Sequence, residues 1–152
     1  MSPSRPRLSA ADIVILVAGA LLLIGSFFAF YTVPGYTVGT VRVGSQSVSA
    51  WSRGLFGIAT VAVVCGVAMA AQIALSTWAT GVSLPQKPFG MRWDQVHLAL
   101  GFQTAIMMLA FLAQNHEGLD LGIGFWVMLV SALALFVAAI VRANRRPNLR
   151  AT

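Results

Sequence analysis

The sequence predicts an all-α membrane protein built as a single domain, residues 1–152, with four transmembrane helices in a bundle. Three observations lead to this prediction. Hydrophobic residues make up 58% of the chain and charged residues 9%, which is far from the mixture of a soluble domain. Four apolar segments are each about 20 residues long, enough to cross roughly 30 Å of hydrocarbon. The charged residues lie near the ends of these segments or between them.

The first predicted span covers residues 10–32. Ser9 and Asp12 form the pattern of a capping box at its start, and no charge occurs between Ile13 and Phe30. A cleaved signal peptide is the competing interpretation, but its apolar core is only about 7–15 residues long and ends at a small-residue cleavage site. Here the run is longer and ends in FFAFYTVPG, which favours a retained helix.

An outer loop, residues 33–52, and a second span, residues 53–76, follow. The loop is either irregular or a β-hairpin that pairs Val41–Val43 with Gln46–Val48 around Gly44. Within the second span, small residues recur at every fourth position, which places them on one helix face that allows close packing in lipid. The sequence leaves open whether the partner helix belongs to this chain or to a second copy. These positions are Ala62, Gly66, Ala70 and Ala74.

A cytoplasmic loop, residues 77–94, separates the two halves of the chain. Pro85 and Pro88 prevent a helix from continuing through it, while Trp93 and Asp94 are typical of an interfacial anchor and a helix N-cap. The third span is predicted at residues 95–114 and the fourth at 121–142. A tight outer turn joins them at residues 115–120, with Asp120 as the N-cap of the fourth helix.

The basic residues predict the orientation. Eight of the ten fall on the side that holds both termini and the 77–94 loop, which is the cytoplasmic side by the positive-inside rule. The abundance of Arg, Ala, Val and Gly indicates a GC-rich bacterial genome, so we expect a multi-pass protein of the bacterial inner membrane. The eight residues are Arg5, Arg7, Lys87, Arg92, Arg142, Arg145, Arg146 and Arg150, which leaves Arg42 and Arg53 outside.

Few polar residues fall within the spans. Gln103 is the deepest, and together with Gln72 and Thr104 we expect it to be buried and to form hydrogen bonds between helices. Gln72 could reach His97 or Gln95 at the cytoplasmic ends. His97 and His116 lie about 28 Å apart along the third helix and cannot share a metal within one chain. Because no catalytic, phosphate-binding or metal-binding motif occurs, we predict no catalytic site, no metal and no cofactor.

The C-terminal tail carries Arg142, Arg145, Arg146 and Arg150 directly after the fourth span. These residues either contact anionic lipid headgroups on the cytoplasmic side, where each basic residue contributes about 1 kcal/mol, or serve only as a topology signal. Nucleic-acid binding is not expected, because no aromatic residues are interleaved for base stacking.

The basic start, the FFAFYTVPG exit and the AWSRGLFG re-entry give a layout that resembles small four-span actinobacterial membrane proteins of unassigned function. The outer loop is also similar to the first extracellular loop of claudin-like proteins. Phe56 stands where that family has Trp, and its cysteine pair is missing, so no function is carried over. We expect a non-enzymatic subunit or scaffold that binds another membrane protein or a second copy. The alternatives are an oligomeric transporter or channel lined by Gln103 and Thr104, and a lipid- or quinone-linked enzyme.

Overall fold

The computed structural model describes residues 8–79, 84–85, 87–114 and 118–145, and within them four long helices carry two small sheets at one end. Three helices are long and apolar enough to cross a membrane, whereas the first is an apolar helix of 16 residues. A 3₁₀ turn (Arg53–Leu55) and a π-helical turn (Phe56–Thr60) lead into the second helix. In chain order the elements are α1 (Ala10–Gly25), β1 (Ala29–Val33), β2 (Tyr36–Val38), β3 (Val41–Val43), β4 (Gln46–Ser49), α2 (Val61–Trp78), α3 (Trp93–Ala113), β5 (Asp120–Leu121) and α4 (Ile123–Asn144).

Helix α1 begins as the sequence predicts but ends well before residue 32. The Ser9 side chain accepts a hydrogen bond from the Asp12 backbone N–H, and the Asp12 carboxylate accepts one from the Ser9 backbone in return. At the other end the Ser26 hydroxyl donates to the Leu23 carbonyl. The chain then enters β1, whose aromatic and β-branched residues favour an extended strand over a further helical turn.

The outer loop forms two antiparallel sheets, and the predicted hairpin is wrong in its pairing. Strand β3 pairs with β2, and β4 pairs with β1. The reason is that the turn lies at Gly39, which adopts the left-handed φ of +61° that two-residue hairpin turns favour, rather than at Gly44. Strand β1 also pairs with β5, the two residues that lie shortly before α4, and the strand order of this sheet is β4-β1-β5.

Two predicted helix caps are also wrong. Arg92 and Gly122, not Asp94 and Asp120, precede the first residues of α3 and α4. Gly122 allows a close backbone approach, since a Cβ atom there would lie 2.1 Å from the Ala29 carbonyl oxygen. Its N–H donates to the Phe30 carbonyl at 3.0 Å. The start of α4 is therefore fixed by the first residues of β1.

Each helix packs against two neighbours, in the cyclic order α1, α2, α3, α4. Phe30 of β1 is fully buried and lies edge-on to Phe111 and Phe125, with ring centroids 4.8 and 5.3 Å away. This aromatic cluster inserts the sheet into one end of the bundle, which we call the sheet end. At the opposite end, called the charged end, α1 and α3 begin and α2 and α4 finish.

Candidate functional site

The charged end contains an ion cluster formed by Asp12, Arg92, Asp94 and Arg142. The Arg142 guanidinium bridges two helices, with Nη1 2.5 Å from Asp12 Oδ1 and Nε 3.4 Å from Asp94 Oδ1. The second oxygen of Asp94 lies 3.3 Å from Arg92 Nη2. The second oxygen of Asp12 accepts hydrogen bonds from the Ser9 N–H and hydroxyl. All four carboxylate oxygens of the cluster therefore have partners, and its formal charges cancel.

The positions of these charges on the helices explain why they converge. Asp12 and Asp94 lie in the first turns of α1 and α3, and Arg142 lies in the last turn of α4. An acidic group near a helix N-terminus and a basic group near a C-terminus are each stabilised by the helix dipole. Because α4 runs antiparallel to α1 and α3, the three termini meet at one end. The cluster thus joins three of the four helices.

The cluster is largely withdrawn from solvent. The Asp94 side chain is 6% exposed, those of Asp12 and Arg142 are 18% exposed, and only Arg92 is mostly exposed. A charge removed from water is tolerated when it is paired and hydrogen-bonded. Neutralisation within the cluster therefore allows two carboxylates to lie among packed helices, and it leaves no net charge to attract an ionic ligand.

His97 lies one turn further into the bundle on α3. Its side chain is fully buried, and neither ring nitrogen has a hydrogen-bond partner among the described residues. Trp93 contacts it edge-on, with ring centroids 6.4 Å apart. A buried polar atom left without a partner costs about 1–3 kcal/mol, so the burial of the His97 ring is unfavourable by itself.

Gln72 of α2 is a second buried polar residue, and its Oε1 has no hydrogen-bond partner among the described residues. The bond that the sequence suggested between Gln72 and His97 is therefore absent. Gln95 instead accepts a hydrogen bond from the Arg92 N–H.

Gln103 lies on the outer surface of α3, and this corrects the expectation that it is buried. Its side chain is exposed in the single chain, as are those of Ala99, Ala110 and Gln114 on the same face. Thr104, the next residue, points inward and donates to the Leu100 carbonyl of its own helix at 2.8 Å. The inward face of α3 carries His97 and Thr104. It is rotated by about one residue from the face of Gln103, which was expected to be buried.

The stripe of small residues on α2 meets α1 of the same chain. A Cβ atom added to Gly19 of α1 would lie 2.7 Å from the Ala70 Cβ and 3.1 Å from the Gly66 carbonyl oxygen. Ala62 and Gly66 are buried, whereas Ala70 and Ala74 are half-buried along a shallow groove between α1 and α2. The sequence left open which helix packs against the stripe, and the structure shows that it is α1 of the same chain.

The C-terminal basic residues separate into two groups. Arg142 is held by the carboxylates of the ion cluster, so its guanidinium is not free for the lipid contact that the sequence suggested. Arg145 is exposed at the mouth of an apolar groove of about 440 Å³ between α1 and α4, lined by residues such as Val14, Leu133 and Val137. Arg146 and Arg150 lie outside the described residues.

The sequence shows the individual members of the ion cluster but did not lead to the prediction that they lie close together. Asp12 and Asp94 were interpreted as helix caps and Arg142 as a surface charge. One signal could have joined them, because predicted helices that begin with an acid and end with a base place opposite charges at one end of an antiparallel bundle. No group of three or more metal-binding side chains occurs within the part of the chain that the structure describes.

Comparison of the chain with protein-family models, with curated proteins and with solved structures finds no match. A function must therefore be inferred from the geometry of the chain itself.

Proposed function

We propose that this protein is a four-span integral protein of the bacterial inner membrane and that it acts by binding, as a small non-enzymatic subunit or scaffold of a membrane assembly. The single observation that carries the proposal is the exposed amide of Gln103. Gln103 lies ten residues from either end of α3, about 15 Å along the helix from each. In a bilayer this depth is hydrocarbon, where an unpaired amide is costly. A partner chain that supplies a hydrogen bond removes that cost.

The packing of α1 supports its role as a fourth span. Its 16 residues extend about 24 Å, short of the roughly 30 Å of a typical hydrocarbon core. It nevertheless lies along most of α4, from the ion pair of Asp12 with Arg142 to the contact of Gly25 with Met128. A short span is accommodated by local thinning of the bilayer or by flanking residues that reach the membrane surface. In this chain the flanking residues are those of β1 and of the connection between α1 and β1.

The charge distribution supports an orientation with both termini in the cytoplasm. Lys87, Arg92 and Arg145 lie at or beyond the charged end of the bundle, whereas Arg42 and Arg53 belong to the sheet end. By the positive-inside rule, the excess of basic residues at the charged end supports an orientation with this end on the cytoplasmic side. The sheet end would then face the extracytoplasmic side, with β5 as the edge strand of the three-stranded sheet.

The groove between α1 and α4 supports a contact with anionic lipid on the cytoplasmic side. Val14 and Val137 line its apolar part, and the exposed Arg145 lies at its mouth. An acyl chain along such a groove would bring its headgroup close to Arg145, where the attraction contributes about 1 kcal/mol and weakens with added salt. Among the described residues of the tail, Arg145 is therefore the proposed lipid contact, and the contacts of Arg146 and Arg150 stay predictions.

The proposal is tested by photo-crosslinking in native membranes. A photoreactive amino acid replaces Ile106, which is exposed one turn after Gln103 and leaves the Gln103 amide in place, and the adducts are identified by mass spectrometry. We expect a discrete protein adduct from this position. The matched control is the same substitution at Val130 of α4, whose side chain is 66% exposed and belongs to a wholly apolar surface; it should give mainly lipid adducts. If position 106 also yielded only lipid adducts, the proposed role as a subunit or scaffold would be wrong.

A further inference from the structure

We propose that the partner at Gln103 is a second copy of this chain, which packs α3 against α3 so that the two Gln103 amides face each other. This inference rests on the proposed function, because it names the partner of the same surface. The contact runs along a line of five residues on α3, called the α3 seam: Ala99, Gln103, Ile106, Ala110 and Ala113.

The spacing of the seam is that of a left-handed helix pair. Its members are separated by four, three, four and three residues, the heptad pattern that keeps one edge of a helix facing a parallel partner. All five are exposed in the single chain. The buried residues of α3, among them His97, Gly101 and Met108, lie on the opposite side. The seam is therefore a continuous, unpartnered edge and not a continuation of the core.

The side chains of the seam suit close packing in lipid. Three of the five are alanines, and small residues at a helix interface let two backbones approach each other where apolar burial alone gives no driving force. The larger Ile106 follows Gln103 by one turn and can fill the space beside it. A single polar residue among apolar ones at such positions fixes the register of a helix pair.

Membrane symmetry favours a second copy over an unrelated protein. Two copies inserted in the same orientation are related by a two-fold axis along the membrane normal, so residues of equal number meet at equal depth. An amide carries both a donor and an acceptor, so two Gln103 side chains satisfy each other without any other group. An unrelated partner would need a polar residue placed at the same depth by coincidence.

At the middle of their spans, the described outward surfaces of α1 and α4 have no exposed amide that needs a hydrogen-bond partner. The outward residues of α4, including Val130, Val137 and Ile140, are apolar and suit lipid directly. The same holds for Val17, Leu21 and Ile24 of α1. Among the described residues of the four helices, Gln103 is the exposed amide at the middle of a span. The preference for a partner is thus confined to one edge of the bundle.

Cysteine crosslinking in membranes tests the geometry. In a Cys65→Ala background, single cysteines are introduced at each apolar seam position and at two exposed controls, Leu98 of α3 and Val130 of α4. We expect covalent dimers from positions 99, 106, 110 and 113 with the four-three repeat, and at least several-fold less from the controls. Equal crosslinking at seam and control positions would overturn the inference.

Energy transfer between two labelled populations of the purified chain in lipid vesicles tests the role of the amide. Gln103→Leu should weaken self-association about 3- to 30-fold, the range measured for polar contacts between membrane helices. Gln103→Asn, which keeps the amide, should restore part of the loss. The control Gln114→Leu removes an exposed amide at the end of α3, where water satisfies it, and should have little effect. Self-association that is unchanged in Gln103→Leu would overturn the inference.

The photo-crosslinking experiment separates this inference from the proposed function on which it rests. An adduct between two copies of the chain supports both. An adduct only with a different protein overturns the self-association inference but leaves the role as a subunit intact. Lipid adducts alone would contradict both.

Discussion

The two ends of the bundle are closed by different interactions. At the sheet end, backbone hydrogen bonds between β1, β4 and β5 combine with the buried ring of Phe30. At the charged end, side-chain ion pairs around Arg142 join α1, α3 and α4. The sheet end therefore depends on shape and burial, and the charged end depends on electrostatic pairing. The difference predicts that substitutions of similar size have different consequences at the two ends.

The largest effect should come from removing the aromatic side chain that holds the sheet end. Phe30→Ala deletes a fully buried ring packed on Phe111 and Phe125, so we expect a loss of about 3–5 kcal/mol in the free energy of unfolding. Equilibrium unfolding in mixed micelles, followed by circular dichroism, measures it. Phe28→Ala is the matched control, because Phe28 is two residues earlier and 53% exposed. Equal losses in the two variants would show that Phe30 does not hold the sheet in place.

A smaller loss is expected when the ion cluster is broken. Arg142→Leu leaves the Asp12 and Asp94 carboxylates without their shared partner. Breaking a fully buried ion pair costs about 3–5 kcal/mol in the free energy of unfolding. Because these groups are partly exposed, we expect a loss of about 2 kcal/mol. The same unfolding measurement applies. Arg145→Leu, three residues further on and exposed, should change stability by less than about 0.5 kcal/mol.

Adding Asp12→Asn and Asp94→Asn to the Arg142→Leu variant removes the two carboxylates that have lost Arg142 and should recover part of its loss. A triple variant that is less stable than Arg142→Leu alone would contradict the assignment of that loss to buried carboxylates deprived of their shared guanidinium.

The smallest effect is expected at His97, beside the cluster but outside its network. His97→Leu removes two buried nitrogens that have no hydrogen-bond partner among the described residues, so stability should change by no more than about 1 kcal/mol and can rise. The measured loss is to be compared with that of Thr104→Val, which deletes a buried hydroxyl that does form a hydrogen bond. A loss above about 2 kcal/mol at His97 would mean that a water or a ligand satisfies its ring in the membrane.

The sequence was sufficient for the positions of α3 and α4, because hydrophobic length and charge placement are local signals. The third predicted span, residues 95–114, differs from α3 by two residues at its start and one at its end. The capping box at Ser9 is likewise complete within four residues of sequence. These features require no knowledge of any other part of the chain.

The errors occur where distant segments decide the local structure. Residues 29–33 continue an apolar run, yet they form β1 because β4 and β5 supply hydrogen-bond partners from two other segments. Gln103 was expected on the inward face because Gln114 and the small Ala99 and Ala110 share its face. Its exposure depends on which side of α3 faces α4, and that is set by the close contact of Gly101 with Phe136. The ion cluster depends in the same way on three helix ends that are far apart in sequence.

The ion pair of Asp12 with Arg142 has a consequence for biosynthesis, because it joins residues 130 positions apart. The ribosome completes α1 long before α4, so Asp12 has no basic partner from α4 during most of translation. Asp94 follows with Arg92 already beside it. The cluster keeps a net negative charge until Arg142 is added near the end of the chain. A polypeptide truncated before that point therefore lacks the guanidinium that joins the three helix ends, a difference by which a membrane protease could distinguish the two.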